Sequence, residues 1–237
     1  MIVSIHQPHF LPWMGYWNKV LRSDAFVWLH SVQYRKNYFQ NRTKIKDGGD
    51  REFWLTVPVH AASDTPIDRV TVADPKWLER VERSVTQNYS RKPYFAQCWP
   101  PLLNALRSAG ERLEEINFLS FSALLDLLGD GPRIVRDADL GPLPEEPTDR
   151  LVAACRALGA TQYIAGKGGR NYLRTEAFER AGFGVLWQDF SPDRVRYDQG
   201  AGTFIGGLSI IDCLFNVGPS GARELALSAW APEEVPH

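Results

Sequence analysis

Cysteine is scarce in this sequence of 237 residues, with only Cys98, Cys155 and Cys213. An odd, widely spaced set without a CxxC pair supports neither a disulfide framework nor a cysteine-rich zinc site, and it suits a reducing compartment. Long apolar runs are missing too, since no stretch of about 18 such residues occurs to span a bilayer. Met1 to His6 has neither the basic start nor the apolar core of a signal peptide. These absences set the expectation of a cytoplasmic chain with no membrane partner. Excess charge of one sign is lacking as well: 27 Lys and Arg stand against 28 Asp and Glu, a formal net charge of −1. Nucleic-acid binding draws its affinity from a basic surface that this balance does not supply, so no nucleic-acid partner is expected. There is no Walker pattern, no GxGxxG, no internal repeat and no low-complexity tract.

What is present suits a full hydrophobic core, because 44% of the residues are hydrophobic. The order of patterns predicts an α/β fold: a central, mostly parallel sheet flanked by helices, with a helical middle segment. Residues 1–237 are expected to form one domain, with 75–130 as its helical part or subdomain. A strand at 1–6 stops at Gln7-Pro8, since proline removes a donor and restricts its predecessor. A helix from Pro12 to Arg22, with Trp13, Tyr16, Trp17, Val20 and Leu21 at helical spacing, leads into a strand over 25–29. Strands are predicted at 54–59 and 69–72, helices at 75–89, 94–109 and 111–128, and a strand at 133–135. The proline-rich, acidic segment 137–147 reads as an exposed connection to a helix over 149–158. A strand at 162–165, a helix at 175–181, a strand at 185–190 and helices at 208–215 and 220–227 complete the pattern.

In open α/β sheets ligands gather beyond the carboxyl ends of strands. His6, Gln7 and His9 fall at the first such end, and His30 and Gln33 at the second. With Trp13 and Tyr16 following, donors, acceptors and aromatic faces converge on one turn, and His6 is the leading candidate for acid–base chemistry. An HxxH pair can also hold a metal, but no third and fourth ligand stand at a recognisable spacing, so no metal or other cofactor is expected. From Ser31 to Lys46 the chain mixes Gln33, Lys36, Asn41, Arg42 and Lys44 with aromatics, suiting either an anion and hydroxyl site or an exposed basic hairpin. Lys167, Gly168 and Gly169 follow a strand and are either a turn or a ligand-facing loop. Asp212 lies within an apolar helix and needs a partner, because a buried unpaired carboxylate is costly. The three cysteines, among apolar neighbours, read as inert core residues.

The run Ile5-His6-Gln7-Pro8, with Leu11-Pro12-Trp13, Gly15-Tyr16, Val32-Gln33-Tyr34, Asn41-Arg42 and Trp54-Leu55-Thr56-Val57-Pro58-Val59, closely resembles the WbqC-like family. The resemblance continues through Pro93-Tyr94-Phe95, Leu158-Gly159-Ala160-Thr161, Gly168-Gly169 and Leu208-Ser209-Ile210-Ile211-Asp212, nearly the whole chain. It implies an accessory enzyme of surface-sugar pathways such as O-antigen assembly, or of natural-product pathways, that forms an amide between an acyl or aminoacyl donor and an amine. One departure is that the family often has Asp where this chain has His30.

Three functions compete. The first is N-acyl or aminoacyl transfer from a thioester, on coenzyme A or a carrier protein, to an amine of a small polar acceptor such as an amino sugar or amino acid. There His6 is the base, Gln7 or Asn41 polarises the carbonyl, and Arg42, Lys36 or Lys44 holds an anion. The second is a nucleotidyltransferase of the HIGH type, which the strand, turn and helix around His6 and His9 echo, with Tyr16 in place of the second histidine of that pattern. The third is a noncatalytic module for sugars or carrier proteins that uses some of the eight tryptophans for stacking.

Overall fold

The computed structural model describes residues 1–62, 64–228 and Trp230. Its strands and helices are β1 (Ile2–His6), α1 (Met14–Leu21), β2 (Ala25–Trp28), β3 (Arg42–Lys46), β4 (Glu52–Thr56), β5 (Val59–His60), β6 (Thr71–Val72), α2 (Trp77–Tyr89), α3 (Phe95–Ser108), α4 (Leu113–Leu128), β7 (Arg133–Arg136), α5 (Pro147–Ala157), β8 (Gln162–Ala165), α6 (Thr175–Arg180), β9 (Gly184–Trp187) and α7 (Ile210–Ser228). Five of these strands form one sheet in the order β7-β2-β1-β8-β9, and every pairing in it is parallel. Two short antiparallel pairs, β3 with β4 and β5 with β6, stand outside it.

Successive sheet strands run outward from β1 through β2 to β7, then restart at β8 on the other side of β1. Right-handed crossovers in opposite directions put α1 and α6 on opposite faces. The middle strands are buried on both sides and correspondingly apolar: β2 reads Ala-Phe-Val-Trp and is buried throughout. Above it Phe26, Trp28, Trp17 and Phe121 stack, with Trp17 and Phe121 nearly parallel at 4.8 Å. One contiguous set of buried apolar side chains runs from Val3 and Phe26 through Phe121 to Leu102 and Phe215, so the helical middle segment shares the core of the sheet.

The α/β class, the parallel sheet and the helical middle agree with the sequence pattern, and differences concentrate where a local breaker intervenes. The apolar run at 54–59 is two strands, because Pro58 interrupts the pairing after Thr56. Residues Ile67–Arg69 form a 3-10 turn, which shortens the strand expected at 69–72 to Thr71–Val72. Strand β3, in the basic segment, carries charged residues on alternate positions and was hidden by them. The connection after β7 is exposed over most of its length, but its first residue, Asp137, is 2% exposed. The last two helices follow one another directly in α7 and are separated by a kink at Gly218, whose φ of 79° precedes Pro219.

Candidate functional site

Five chemically active positions follow the carboxyl ends of the five sheet strands: His6-Gln7 after β1, His30 after β2, Asp137 after β7, Gly166 after β8 and Gln188 after β9. The strand order reverses between β1 and β8, and such a switch point leaves a crevice between diverging crossovers. The histidine turn stands on one side of it and the glycine turn on the other.

At β1 the rings of His6, His9 and Tyr16 meet in a triangle, with centroids 4.7 Å, 4.6 Å and 5.1 Å apart. Local geometry produces it: Tyr16 projects from the first turn of α1 back over the strand end, and its hydroxyl donates to the Gln7 carbonyl at 3.2 Å. The intervening loop is held in an uncommon shape. Leu11 has a left-handed φ of 44°, although it is a buried non-glycine residue. Its carbonyl accepts hydrogen bonds from Thr43 Oγ1 at 3.1 Å and from Ser209 Oγ at 2.7 Å, so two distant elements fix the turn.

His6 Nδ1 lies 2.9 Å from the Gln7 carbonyl oxygen. A carbonyl can only accept, so the neutral ring carries its proton on Nδ1 and presents the lone pair of Nε2. Burial first, and then the Lys19 ammonium, hold the His6 imidazole down at about 3, against which the Gln7 carbonyl acts weakly. His9 is 3% exposed, with no hydrogen-bond partner on either ring nitrogen among the described residues. Burial, then His6 and Lys19, keep it neutral as well. Gln7 Oε1 accepts from Gln40 Nε2 at 2.8 Å, while Gln40 Oε1 accepts the Arg35 amide at 2.7 Å. This chain fixes the Gln7 carboxamide with its nitrogen as the spare donor.

Lys19 lies one helical turn beyond Tyr16. It is 4% exposed, and its Nζ reaches the Ile5 carbonyl at 3.4 Å. Among the described residues no carboxylate comes within ion-pair distance of it, and burial lowers its ammonium to about 8. Across the crevice a β-carbon placed on Gly166 would lie 3.9 Å from Lys19 Nζ and 4.0 Å from Gln188 Oε1. Gln188 is anchored through its Nε2, which donates to the Gly15 carbonyl at 2.8 Å and to Asn18 Oδ1 at 2.7 Å.

The remaining sequence candidates separate into groups. His30 faces Asp137, with Nε2 3.2 Å from Oδ1. Trp13 packs edge-on against Phe190 and covers Gly15. Asn41 is buried with both side-chain atoms engaged, accepting from Tyr34 Oη at 2.9 Å and donating to the Val57 carbonyl at 2.8 Å. Arg42 stacks on Trp54 at 4.1 Å, and Lys44 pairs with Glu52. Phe39 connects them to the histidines, its ring 5.6 Å from His9 and 5.5 Å from Trp54. Gln33 and Lys36 are exposed, with Gln33 Nε2 donating to Asp64 at 3.2 Å. Lys167 is exposed and pairs with Asp189 at 3.4 Å, and Gly168 is open. Gly169 is packed, since a β-carbon there would meet Leu173 at 2.7 Å. Asp212 belongs to a different network, accepting from Tyr89 Oη and Tyr197 Oη at 2.8 Å each.

Sequence reasoning placed Gln40 among the amides of the basic segment but passed over Lys19, Asp137 and Gln188. Lys19 stands at i+3 from Tyr16, a spacing that puts both on one helix face. Asp137 and Gln188 each directly follow a sheet strand, the position that singled out His6 and His30. Among the described residues no three or more His, Cys, Asp or Glu side chains gather to hold a metal ion. All three cysteines are buried, and burial pushes Cys98 up to about 11 and Cys155 up to about 12. Two clefts lie away from the histidines: a void of about 10 Å³ beside Met14, Phe190 and Tyr197, and an open groove of about 430 Å³ beside Asp47, Arg51 and Gln87. Neither offers a free base, so chemistry and not concavity selects the β1 end. No helix of the described residues is long and apolar enough to cross a membrane.

Comparison with known proteins adds an affiliation. The chain is 30% identical over 221 residues to the uncharacterized protein Rv1507c of Mycobacterium tuberculosis (strain ATCC 25618 / H37Rv), an alignment covering 91% of this chain and 94% of that one. No solved structure matches it. A sequence model described as the WbqC-like protein family matches residues 7–224, from the turn after β1 to the last helix, and the chain therefore belongs to the WbqC-like protein family.

Proposed function

We propose that this protein forms amides, transferring an acyl or aminoacyl group from a thioester to the amine of a small polar acceptor at the carboxyl end of β1. The observation that carries this reading is the fixed tautomer of His6: the Gln7 carbonyl holds its Nδ1 proton and leaves Nε2 as a proton acceptor. In the reaction the amine nitrogen attacks the thioester carbonyl carbon, the C–N bond forms and the C–S bond breaks. Because burial and Lys19 hold the imidazole at about 3, His6 Nε2 takes the proton only after attack has made the nitrogen ammonium-like and strongly acidic, and passes it to the departing thiolate. Gln7 Nε2, oriented through Gln40, is the donor for the carbonyl oxygen as it gains charge. Asn41, held by Tyr34 and the Val57 carbonyl, positions the loop in this scheme. The donor is carried on coenzyme A or on a carrier protein, and the pathway served is surface-sugar or natural-product biosynthesis.

The test supplies purified protein with acyl and aminoacyl thioesters of coenzyme A or a carrier protein, a panel of amino sugars and amino acids, and no nucleotide. Mass spectrometry should find an amide, and His6→Ala should lower its rate by about a hundredfold or more. Product that forms only when ATP is added would overturn the proposal. A second reading, nucleotidyl transfer, is favoured by the strand order and by Tyr16 touching both histidines. Consumption of ATP with release of pyrophosphate would select it.

A further inference from the structure

We propose that Lys19 is the anchor of a phosphate site in the crevice between β1 and β8, and that the ligand handled at the histidine turn carries a phosphate group. This rests on the assignment of the functional site to the β1 end, not on which group is transferred there.

The argument starts from an unbalanced charge. An ammonium 4% exposed is costly unless an anion or a full set of acceptors surrounds it. Lys19 has three donors, and among the described residues its one acceptor is the Ile5 carbonyl at the long distance of 3.4 Å. The titratable groups facing it, His6 and His9, are held neutral beside it and supply no counter-charge. His9 adds two buried ring nitrogens with no partner among the described residues, 4.7 Å by ring centroid from His6. The ammonium of Lys19 therefore keeps donors to spare beside the unpartnered His9 ring, a surplus that an anion would satisfy.

The opposite wall presents glycine backbone. Gly166 has no side chain, and a β-carbon on Gly168 would touch nothing within 4 Å. Lysine holds phosphate as a point charge. Two arginines of the loop are engaged elsewhere, Arg42 with Trp54 and the Asn37 carbonyl and Arg35 over the Tyr38 ring. Phosphate is also the group that coenzyme A, a phosphopantetheine arm and a nucleotide share, so the source is left to experiment.

Thermal unfolding of the wild-type protein and of Lys19→Met is followed with inorganic phosphate, coenzyme A, ATP with magnesium, and acetate. Methionine keeps the packing of the stem and removes the charge. The wild type should gain about 5 °C or more at about a hundred times the Kd of whichever phosphate compound binds, and Lys19→Met should lose that gain. Stabilisation by coenzyme A alone assigns the phosphate to a thioester carrier, and by ATP alone to a nucleotide. No stabilisation by any phosphate compound, an equal effect of acetate, or an undiminished effect in Lys19→Met would overturn the inference. Should the variant fail to fold, the wild-type shift is measured against pH. It should decline above about 8 as Lys19 gives up its proton, and a shift that persists unchanged to pH 10 would assign binding to ordinary surface lysines and refute the site. Amide formation without phosphate-dependent stabilisation sinks this inference alone, and the converse result sinks the transfer reaction alone.

Discussion

The imidazole of His30 and the carboxylate of Asp137 face each other across the ends of two neighbouring strands, with Nε2 3.2 Å from Oδ1. The same carboxylate accepts the backbone N–H groups of His30 and Ser31, each at 3.2 Å, and the Ser31 hydroxyl. One acid therefore ties the loop after β2 to the end of β7, and it does so with its side chain fully enclosed.

Replacing Asp137 by Ala should cost about 2–4 kcal/mol in chemical denaturation, because it strands several donors that the buried carboxylate now satisfies. Asp137→Asn, which retains one acceptor oxygen, should cost clearly less. Equal losses for the two variants would show that charge, not hydrogen-bond geometry, holds the loop.

Acid should weaken the fold earlier than its carboxylates alone require. His6 titrates at about 3 in the folded chain and near 6.5 when unfolded, so between those values the unfolded chain binds the extra proton. Its contribution is complete above about 6.5 and is lost as pH falls toward 3. His9 acts in the same direction. The sign test is the difference between wild type and His6→Gln, whose stability should depend less steeply on pH between 6.5 and 4.5. An identical slope in the two proteins would contradict the neutral state of His6.

At Asp212 the effect should fall on stability first. Its two oxygens each accept from a phenol, Tyr89 and Tyr197, and burial raises its carboxyl above the ordinary range. Tyr197→Phe should cost about 1–2 kcal/mol and Asp212→Ala about 2–3 kcal/mol, and the double variant should cost less than the sum. Strict additivity would mean that the contact contributes nothing.

Gly218→Ala should destabilise by about 1–3 kcal/mol. The backbone there is left-handed, at φ 79°, and an added β-carbon would sit 2.7 Å from the Tyr94 ring. Unfolding midpoints that match those of the wild type would show that the break in α7 relaxes freely.

Periodicity made most of the fold legible. The strand at 162–165 was bounded to the residue, and α2, α3 and α4 fell within two residues of their expected limits. The hairpin strand β3 was not legible, because its inward residues Thr43 and Ile45 are outnumbered by Arg42, Lys44 and Lys46. The histidine turn could be read from polar residues at a strand's end. Lys19 could not, since a lysine at the edge of an apolar helix face ordinarily reaches solvent along its stem. Only the sheet order, which puts β8 beside β1, shows that its tip points into a crevice. Asp137 was masked by the prolines and acids that follow it, which do stay exposed.

The pairing of β2 with β7 joins Ala25 to Arg133, and that of β1 with β8 joins Ile2 to Gln162. Between the first two partners lie the β3–β4 hairpin and all of α2, α3 and α4, which find many of their contacts close by in the chain. A refolding molecule can acquire that helical unit quickly, but it must wait for distant segments to meet before the sheet exists. The histidine, lysine and glycine turns acquire their mutual positions only at this late step. Competence at the crevice should consequently return more slowly than helical signal during renaturation, and mild denaturant should abolish it while much of the helix content survives.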